Sequence, residues 1–586
     1  MFGTNEQYNL ERLPFSVYGA FLSVYQNIAD KKMYLSMTRS MQALLDRPNL
    51  MELSLCANGE KVPFVYSCTA SKLTFKAKEG TAEFTYEPDS SVMRIRTTDV
   101  SLRIDYVPRL HEAGCRFADG DIELGFNKTG KLKFSCISGT MDSNIAWNYL
   151  QVSPYPFYIE IKPDDRIAEM AIHEYPSTCA HRDSYEDFDV VADLKQKEFD
   201  AFCDNYSDVP EIYSEMAEKA KYMVWHSYLG PRGTLKEPVI YMHKLFMNRA
   251  FGWQQAFHAM AMRNNAKEAW RLLLAFFAYQ NEIGGLPDHV SDIGQETFIT
   301  TKPPIQGYAV LYILNNFNNV DLETKDYQTM YDKLSKYTNW WFVYHDHSKT
   351  GYPSYYHPDE SGYDESSAFD EGLPVVSPDL LSYTVFNCEA CAKLASLIGD
   401  TEKTDYWTKK AQYVLDYLVG TLWDGEQFLA YLPAKKEFYK CGSITQLQPI
   451  MLGSRLPESI TKVIAQRLTD PEQFSTDCGF STENIQSDKV VMRAFTRGPT
   501  IAPTQFFLLN GLNDAGYKKE AKKECIKYLN ALSYKGLALG IHSYRVEPAL
   551  GNEIVAETTG MAVGFPFSSW VGSIFLALAE SIADEQ

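Results

Sequence analysis

Residues 251–262 read Phe251-Gly-Trp-Gln-Gln-Ala-Phe-His-Ala-Met-Ala-Met262, and residues 267–282 read Lys267-Glu-Ala-Trp-Arg-Leu-Leu-Leu-Ala-Phe-Phe-Ala-Tyr-Gln-Asn-Glu282. Both are patterned as helices, and only residues 263–266 separate them, so they read as a pair. Helical patterning begins at 211–228 and recurs at 304–316, 324–344, 379–397, 403–422, 460–468, 500–512, 518–533 and 566–582. That predicts eleven or twelve helices, many of them paired, with Gly, Pro, Asp and aromatic residues in the loops. Twelve helices in six pairs is the arithmetic of an (α/α)6 barrel. An open helical solenoid shares the periodicity, but no fixed sequence period supports it.

Before this series the period changes to two. Segments 62–67, 72–77, 91–96, 102–106 and 158–162 alternate β-branched or aromatic residues with polar ones and are divided by turns. They predict antiparallel strands of a β-sandwich. The expected organisation is an N-terminal β-sandwich domain at 1–181, a helical, acidic linker at 182–209, and a mainly α, (α/α)6-barrel domain at 210–586. A chain of 586 residues exceeds one ordinary core, which agrees with more than one domain.

The formal net charge of −19 opposes a nucleic-acid or anionic-membrane partner, since both need a positive footprint. Eleven cysteines, an odd number with no regular framework, suit a reducing compartment. The N-terminus lacks a basic segment followed by an apolar one, and the longest apolar runs are about half a membrane span. The expectation is a cytoplasmic protein with no membrane or nucleic-acid partner and no signature of oligomeric state.

Three motifs carry less than their spacing suggests. The run from Gly125 to Lys131 resembles a phosphate-binding loop, but Leu132 stands where Ser or Thr must reach magnesium, and its flanks alternate as a hairpin. Cys388 and Cys391 have redox or zinc spacing, yet they lie inside a helical run with no second pair nearby. His345 and His347 have no third ligand in sequence, so neither a metal nor a cofactor is expected.

Two loops hold the chemistry. Glu360-Ser-Gly-Tyr-Asp364-Glu-Ser-Ser-Ala-Phe-Asp370 is dense in carboxylates and follows Tyr352, Tyr355 and Tyr356. Tyr544-Arg-Val-Glu547-Pro-Ala-Leu-Gly551 continues through Glu553 and Glu557 to the segment ending in Trp570. Aromatic faces stack on sugars while carboxylates move protons, and the two loops converge if the barrel closes. A polar solvated loop is the plain alternative for each.

With these residues in view, the chain resembles the glycoside hydrolases of clan G, the trehalase (family 37) and α-glucosidase (family 63) group, and most closely the bacterial family 63 enzymes. Over residues 238–578, six motifs follow in family order. Phe251-Gly-Trp253-Gln-Gln-Ala-Phe257 is similar to the Trp-Asp-x-x-Phe helix start, and Gly284-Gly-Leu-Pro287 to the Gly-x-x-Pro turn. Lys302-Pro-Pro304 and the run Glu360-Ser-Gly-Tyr-Asp364-Glu-Ser match their counterparts, as do Arg497-Gly-Pro499 and Phe567-Ser-Ser-Trp570.

The resemblance implies an (α/α)6 barrel fronted by a β-sandwich, and inverting hydrolysis of an α-glycosidic bond, commonly α-glucosidic, in a small oligosaccharide or glycoside. It makes Asp364 the general acid and Glu547, 183 residues further on, the general base, with Glu553 and Glu557 as rivals. Candidate sugar walls are Trp253, Phe257, Tyr363 and Trp570. Candidate polar contacts are Gln254, Gln255, Asp288, His289, Glu360, Arg497 and Glu557. The chain departs from the pattern at Gln254, where the family has Asp, and at Tyr363, where it has Trp. Trehalase signatures are absent. The alternatives are a silent carbohydrate-binding barrel, a phosphorolytic barrel, a helical scaffold, or a hydrolase of a small α-glycosyl acid such as glucosyl- or mannosylglycerate.

Overall fold

The computed structural model describes residues 8–27, 29–39, 50–107, 112–126, 130–145, 156–180, 182, 184–245, 247–294, 296–491, 494–533, 542–543, 546–547, 552–553 and 568–583. The chain forms two compact units, each assembled from several stretches: 1–204 with 221–249 and 291–295, and 205–220 with 250–290 and 296–586.

The first unit holds two antiparallel sheets. One runs Leu22–Gln26, Met33–Met37, Met51–Ala57, Ser101–Tyr106, Phe157–Lys162, Thr140–Ser143, with Glu60–Val62 added to Met51–Ala57. The other runs Ala113–Arg116, Ile122–Phe126, Gly130–Ser138, Ile167–Tyr175, Val92–Thr98, Thr81–Tyr86, Leu73–Lys76, Val65–Cys68. Alternation decides what is buried. Leu102, Ile104 and Tyr106 point inward from one sheet, as do Ile122, Leu124 and Phe126 from the other. Tyr106 and Phe126 meet edge-on, with ring centroids 5.5 Å apart. The result is the expected β-sandwich-like region. Phe126 lies opposite Gly130 in an antiparallel pair, so strands flank the segment that resembled a phosphate loop; residues 127–129 lie outside the described set.

Helix α1 (Phe188–Cys203) belongs to this unit and starts on the Asp187 side chain, which accepts from the Asp189 and Val190 N–H groups. The later stretches join it through Arg39. This buried guanidinium pairs with Glu174 and, at 2.8 Å, with Asp292, which also accepts from the Tyr241 hydroxyl at 2.9 Å.

The division between units falls within α2 (Ser214–Ser227). The second unit continues with α3 (Gly252–Ala261), α4 (Ala266–Phe277), α5 (Gln306–Asn316), α6 (Thr324–Tyr344), α7 (Pro378–Leu397), α8 (Thr401–Tyr417), α9 (Glu458–Thr469), α10 (Ala502–Asp514), α11 (Lys518–Ser533) and α12 (Ser569–Ala583). Sixteen of the twenty residues of α7 are buried, against three of seventeen in α8, which separates an inner helix from an outer one. α3, α10 and α12 are likewise buried nearly all round.

These inner helices pack in sequence. α3 meets α5, and α5 meets α7 where the Gly307 N–H donates to Asn387 Oδ1 at 2.7 Å. A 3-10 stretch, Gln448–Arg455, follows α7 and packs on α10, and α12 touches α10 and returns to α3. The sequence pattern did not reveal Gln448–Arg455: it is short and is broken at Gly453, whose φ is +56°. Phe257, Tyr308, Tyr383, Phe386, Phe506 and Phe507, from four of these helices, pack ring against ring between them, edge to face except for the tilted pair Phe257–Phe507.

Cys388 and Cys391 are packed inside α7, where burial pushes both thiols up. His345 ends α6, stacks on Tyr356 at 4.7 Å and donates to the Ser354 carbonyl. Among the described residues no helix is long and apolar enough to cross a membrane, and no trio of metal-ligating side chains gathers.

Candidate active site

The carboxylate loop between α6 and α7 is built from short, capped turns. His357 opens the 3-10 turn Pro358–Ser361, accepting from the Asp359 N–H while Glu360 bonds back to the His357 N–H. Gly362 ends the turn at φ +70°. A Cβ there would lie 2.4 Å from the Trp253 ring, so the loop rests directly on that indole. Trp253 is 3 % exposed and Trp570 1 %, with ring centroids 5.0 Å apart; Phe257 closes the cluster at 6.0 and 6.1 Å. The aromatic residues singled out from sequence thus gather beneath the loop.

Along 360–370 nearly every polar side chain is engaged. Glu360 Oε2 accepts from the Tyr356 and His357 N–H groups, at 2.7 and 3.3 Å. Ser361 donates to the Pro358 carbonyl, and Ser366 meets Ser443 at 2.6 Å. Ser367 donates to the buried Glu483 at 2.7 Å. Glu365 accepts from the Phe495 N–H, while its own N–H donates to Thr496 Oγ1 at 2.9 Å. Asp370 pairs with Lys489 at 2.8 Å and with Arg497. Asp364 is the exception: among the described residues its carboxyl has no hydrogen bond or ion pair, and it reaches solvent.

Solvent contact and enclosure coexist at Asp364. Protein packed around it desolvates the charged form and pushes the carboxyl up to about 6. Lys302 pulls it down, and Asp359, Asp288 and Glu365 add to the rise. Glu360 is more fully buried, and burial raises it to about 7 against the pull of its two amide donors. Asp288 goes the other way: burial would raise it, but His289 at 2.5 Å and Lys302 at 2.9 Å hold it below the ordinary carboxylate range. Lys302 also donates to the Asp359 carbonyl at 3.1 Å, tying the Asp288 loop to the carboxylate loop.

Other sequence candidates fall into distinct settings. Gln254 and Gln255 are buried in the first turn of α3. Tyr363, expected as a sugar wall, is 1 % exposed; its hydroxyl bonds Gln448 and Thr504. Arg497, expected among the polar contacts, donates to the Glu365 carbonyl at 2.6 Å and pairs with Asp370, so it braces the loop. The backbone of Val546–Glu547 pairs with Asn552–Glu553, and His542–Ser543 pairs with Thr500–Ile501 at the entry of α10. The Glu547 and Glu553 side chains, and Glu557 altogether, lie outside the described residues. Sequence reasoning passed over Lys302, Gln448 and Thr504 as site residues. Lys302 carried a signal in its Lys-Pro-Pro motif; the other two carried none.

The family model described as the mannosylglycerate hydrolase MGH1-like glycoside hydrolase domain matches residues 248–545. Among solved structures, the chain is similar to a family 63 mannosylglycerate hydrolase from Thermus thermophilus in complex with glucose, at 18 % identity and a TM-score of 0.51, covering 62 % of this chain and 99 % of that one. The complex of that enzyme with Tris and D-glycerate gives 17 % identity and a TM-score of 0.50, covering 63 % and 100 %. No curated protein matches the chain in sequence.

Proposed function

Since the chain belongs to the MGH1-like glycoside hydrolase domain family, and is thereby a clan G, family 63 glycoside hydrolase, we propose that it cleaves an α-glycosidic bond with inversion, Asp364 acting as the general acid. The observation that carries this is the carboxyl that has no partner among the described residues, in a run of engaged neighbours, raised toward neutrality by enclosure. In the forward step Asp364 gives its proton to the glycosidic oxygen as the bond from C1 to that oxygen breaks. Glu547 holds a water on the opposite face, takes its proton, and the water oxygen bonds to C1. Inverting sites of this kind keep the two carboxyl groups roughly 6.5–9.5 Å apart. What supports Glu547 is its place in the resemblance and the pairing of 542–543 beside α10.

We further propose that the inner helices and their outer partners form an (α/α)6 barrel. The support is the return of α12 to α3 and the shared aromatic centre. The substrate is an α-glucoside or short α-linked oligosaccharide in a reducing, cytoplasmic setting. A small α-glycosyl acid is the second reading, favoured by the family's own description and by the D-glycerate complex of its structural neighbour. A panel of α-linked glucosides, mannosides and their glycerate conjugates decides between the two. Hydrolysis by wild type and its loss in Asp364→Asn are expected; an Asp364→Asn protein as active as wild type removes the assignment.

A further inference from the structure

Tyr363 lies one peptide bond from Asp364, and its side chain goes down among the inner helices rather than up. The phenol O–H donates to Gln448 Oε1 at 2.6 Å. Its oxygen lies 2.9 Å from Thr504 Oγ1 on α10. The phenol has a single hydrogen, spent on Gln448, so Thr504 donates. Gln448 in turn donates through Nε2 to the Tyr383 hydroxyl on α7. Four buried side chains therefore link the acid loop to α7, α10 and Gln448–Arg455, and burial is the leading reason the phenol resists ionisation. The Tyr363 N–H is held as well, by Ser361 Oγ at 2.9 Å.

We propose that the Tyr363 hydroxyl is a positioning group that fixes where Asp364 presents its proton, and that it does not contact the sugar. This rests on the role given to Asp364 above for its effect on rate, but not for the restraint itself. A ring alone fills the same space; only a hydroxyl accepts from Thr504 and donates to Gln448 together. Removing it leaves both partners buried without their bond and lets the loop shift on its glycine. A misplacement of about 1 Å at a reacting group costs roughly 100-fold in rate.

The test uses the full-length protein as Tyr363→Phe, with Thr504→Val as a second variant that leaves the tyrosine in place. Turnover should fall by about 10- to 100-fold with KM within about twofold, because the change acts on the transition state. Hydrogen exchange of peptides covering 360–370 should quicken in both variants, while α4 peptides keep the wild-type rate. Unchanged turnover with a raised KM makes Tyr363 a sugar wall and overturns the proposal, as does unchanged exchange. If wild type hydrolyses nothing on the panel, the proposed function fails, and the exchange data still decide whether the hydroxyl restrains the loop.

Discussion

Asp364 stands between two anchored residues, Tyr363 held by Gln448 and Thr504 and Glu365 held by Phe495 and Thr496. Its own carboxyl has no hydrogen bond or ion pair among the described residues. That fixes a pH dependence. The carboxyl is raised to about 6, so the protonated, donating form dominates below that pH and is lost as pH rises through it. The rate of hydrolysis should therefore fall on the alkaline side of about pH 6, approaching tenfold per pH unit. Lys302 is the cation that pulls this carboxyl down. Lys302→Met should move the alkaline limb to higher pH, and a limb displaced to lower pH would refute the assigned electrostatics. Asp364 was singled out in sequence because a motif surrounds it. The engagement of Tyr363 and Arg497 was not, because the same side chain serves a sugar or a loop and only coordinates tell which. Lys302 shows the converse, a residue quoted for its motif whose ammonium turned out to join two loops.

At the scale of elements, the inner helices depend on close approach. Gly307 on α5 sits where a Cβ would come within 2.4 Å of the Asn387 Cα, and its N–H donates to Asn387 Oδ1. Backbone cannot yield as a flexible side chain does, so Gly307→Ala should destabilise the protein by about 2 kcal/mol. A denaturant titration reads this directly; an unchanged midpoint would mean that α5 and α7 are looser than described. Helix pairing was legible wherever apolar periodicity ran for three turns or more, as in α4, α6 and α8. It failed at Gln448–Arg455, where Pro449 and the break at Gly453 leave too few residues for a period to register. The β-strands were legible for the opposite reason: 102–106 and 122–126 bury one face only, so burial and sequence alternate together.

For the whole molecule, each compact unit is gathered from stretches distant in sequence, and no linear reading captures that. In the first unit the gathering residue is Arg39, buried between Glu174 and Asp292 from two of those stretches. Arg39→Met would leave the buried Asp292 without its cation, while Glu174 keeps Arg232 at 3.1 Å, at a cost of about 3–5 kcal/mol, well beyond an exposed pair. A stability loss under about 1 kcal/mol, the scale of an exposed pair, would show the network to be incidental. In the second unit, the two carboxylates proposed for the chemistry, Asp364 and Glu547, are 183 residues apart in sequence. We propose that these two act on one sugar from opposite faces. Proton NMR of an α-linked substrate, recorded during the first turnovers, tests it most directly. The β-anomer of the released sugar should appear first and mutarotate afterward; an α-anomer appearing first would rule out inversion.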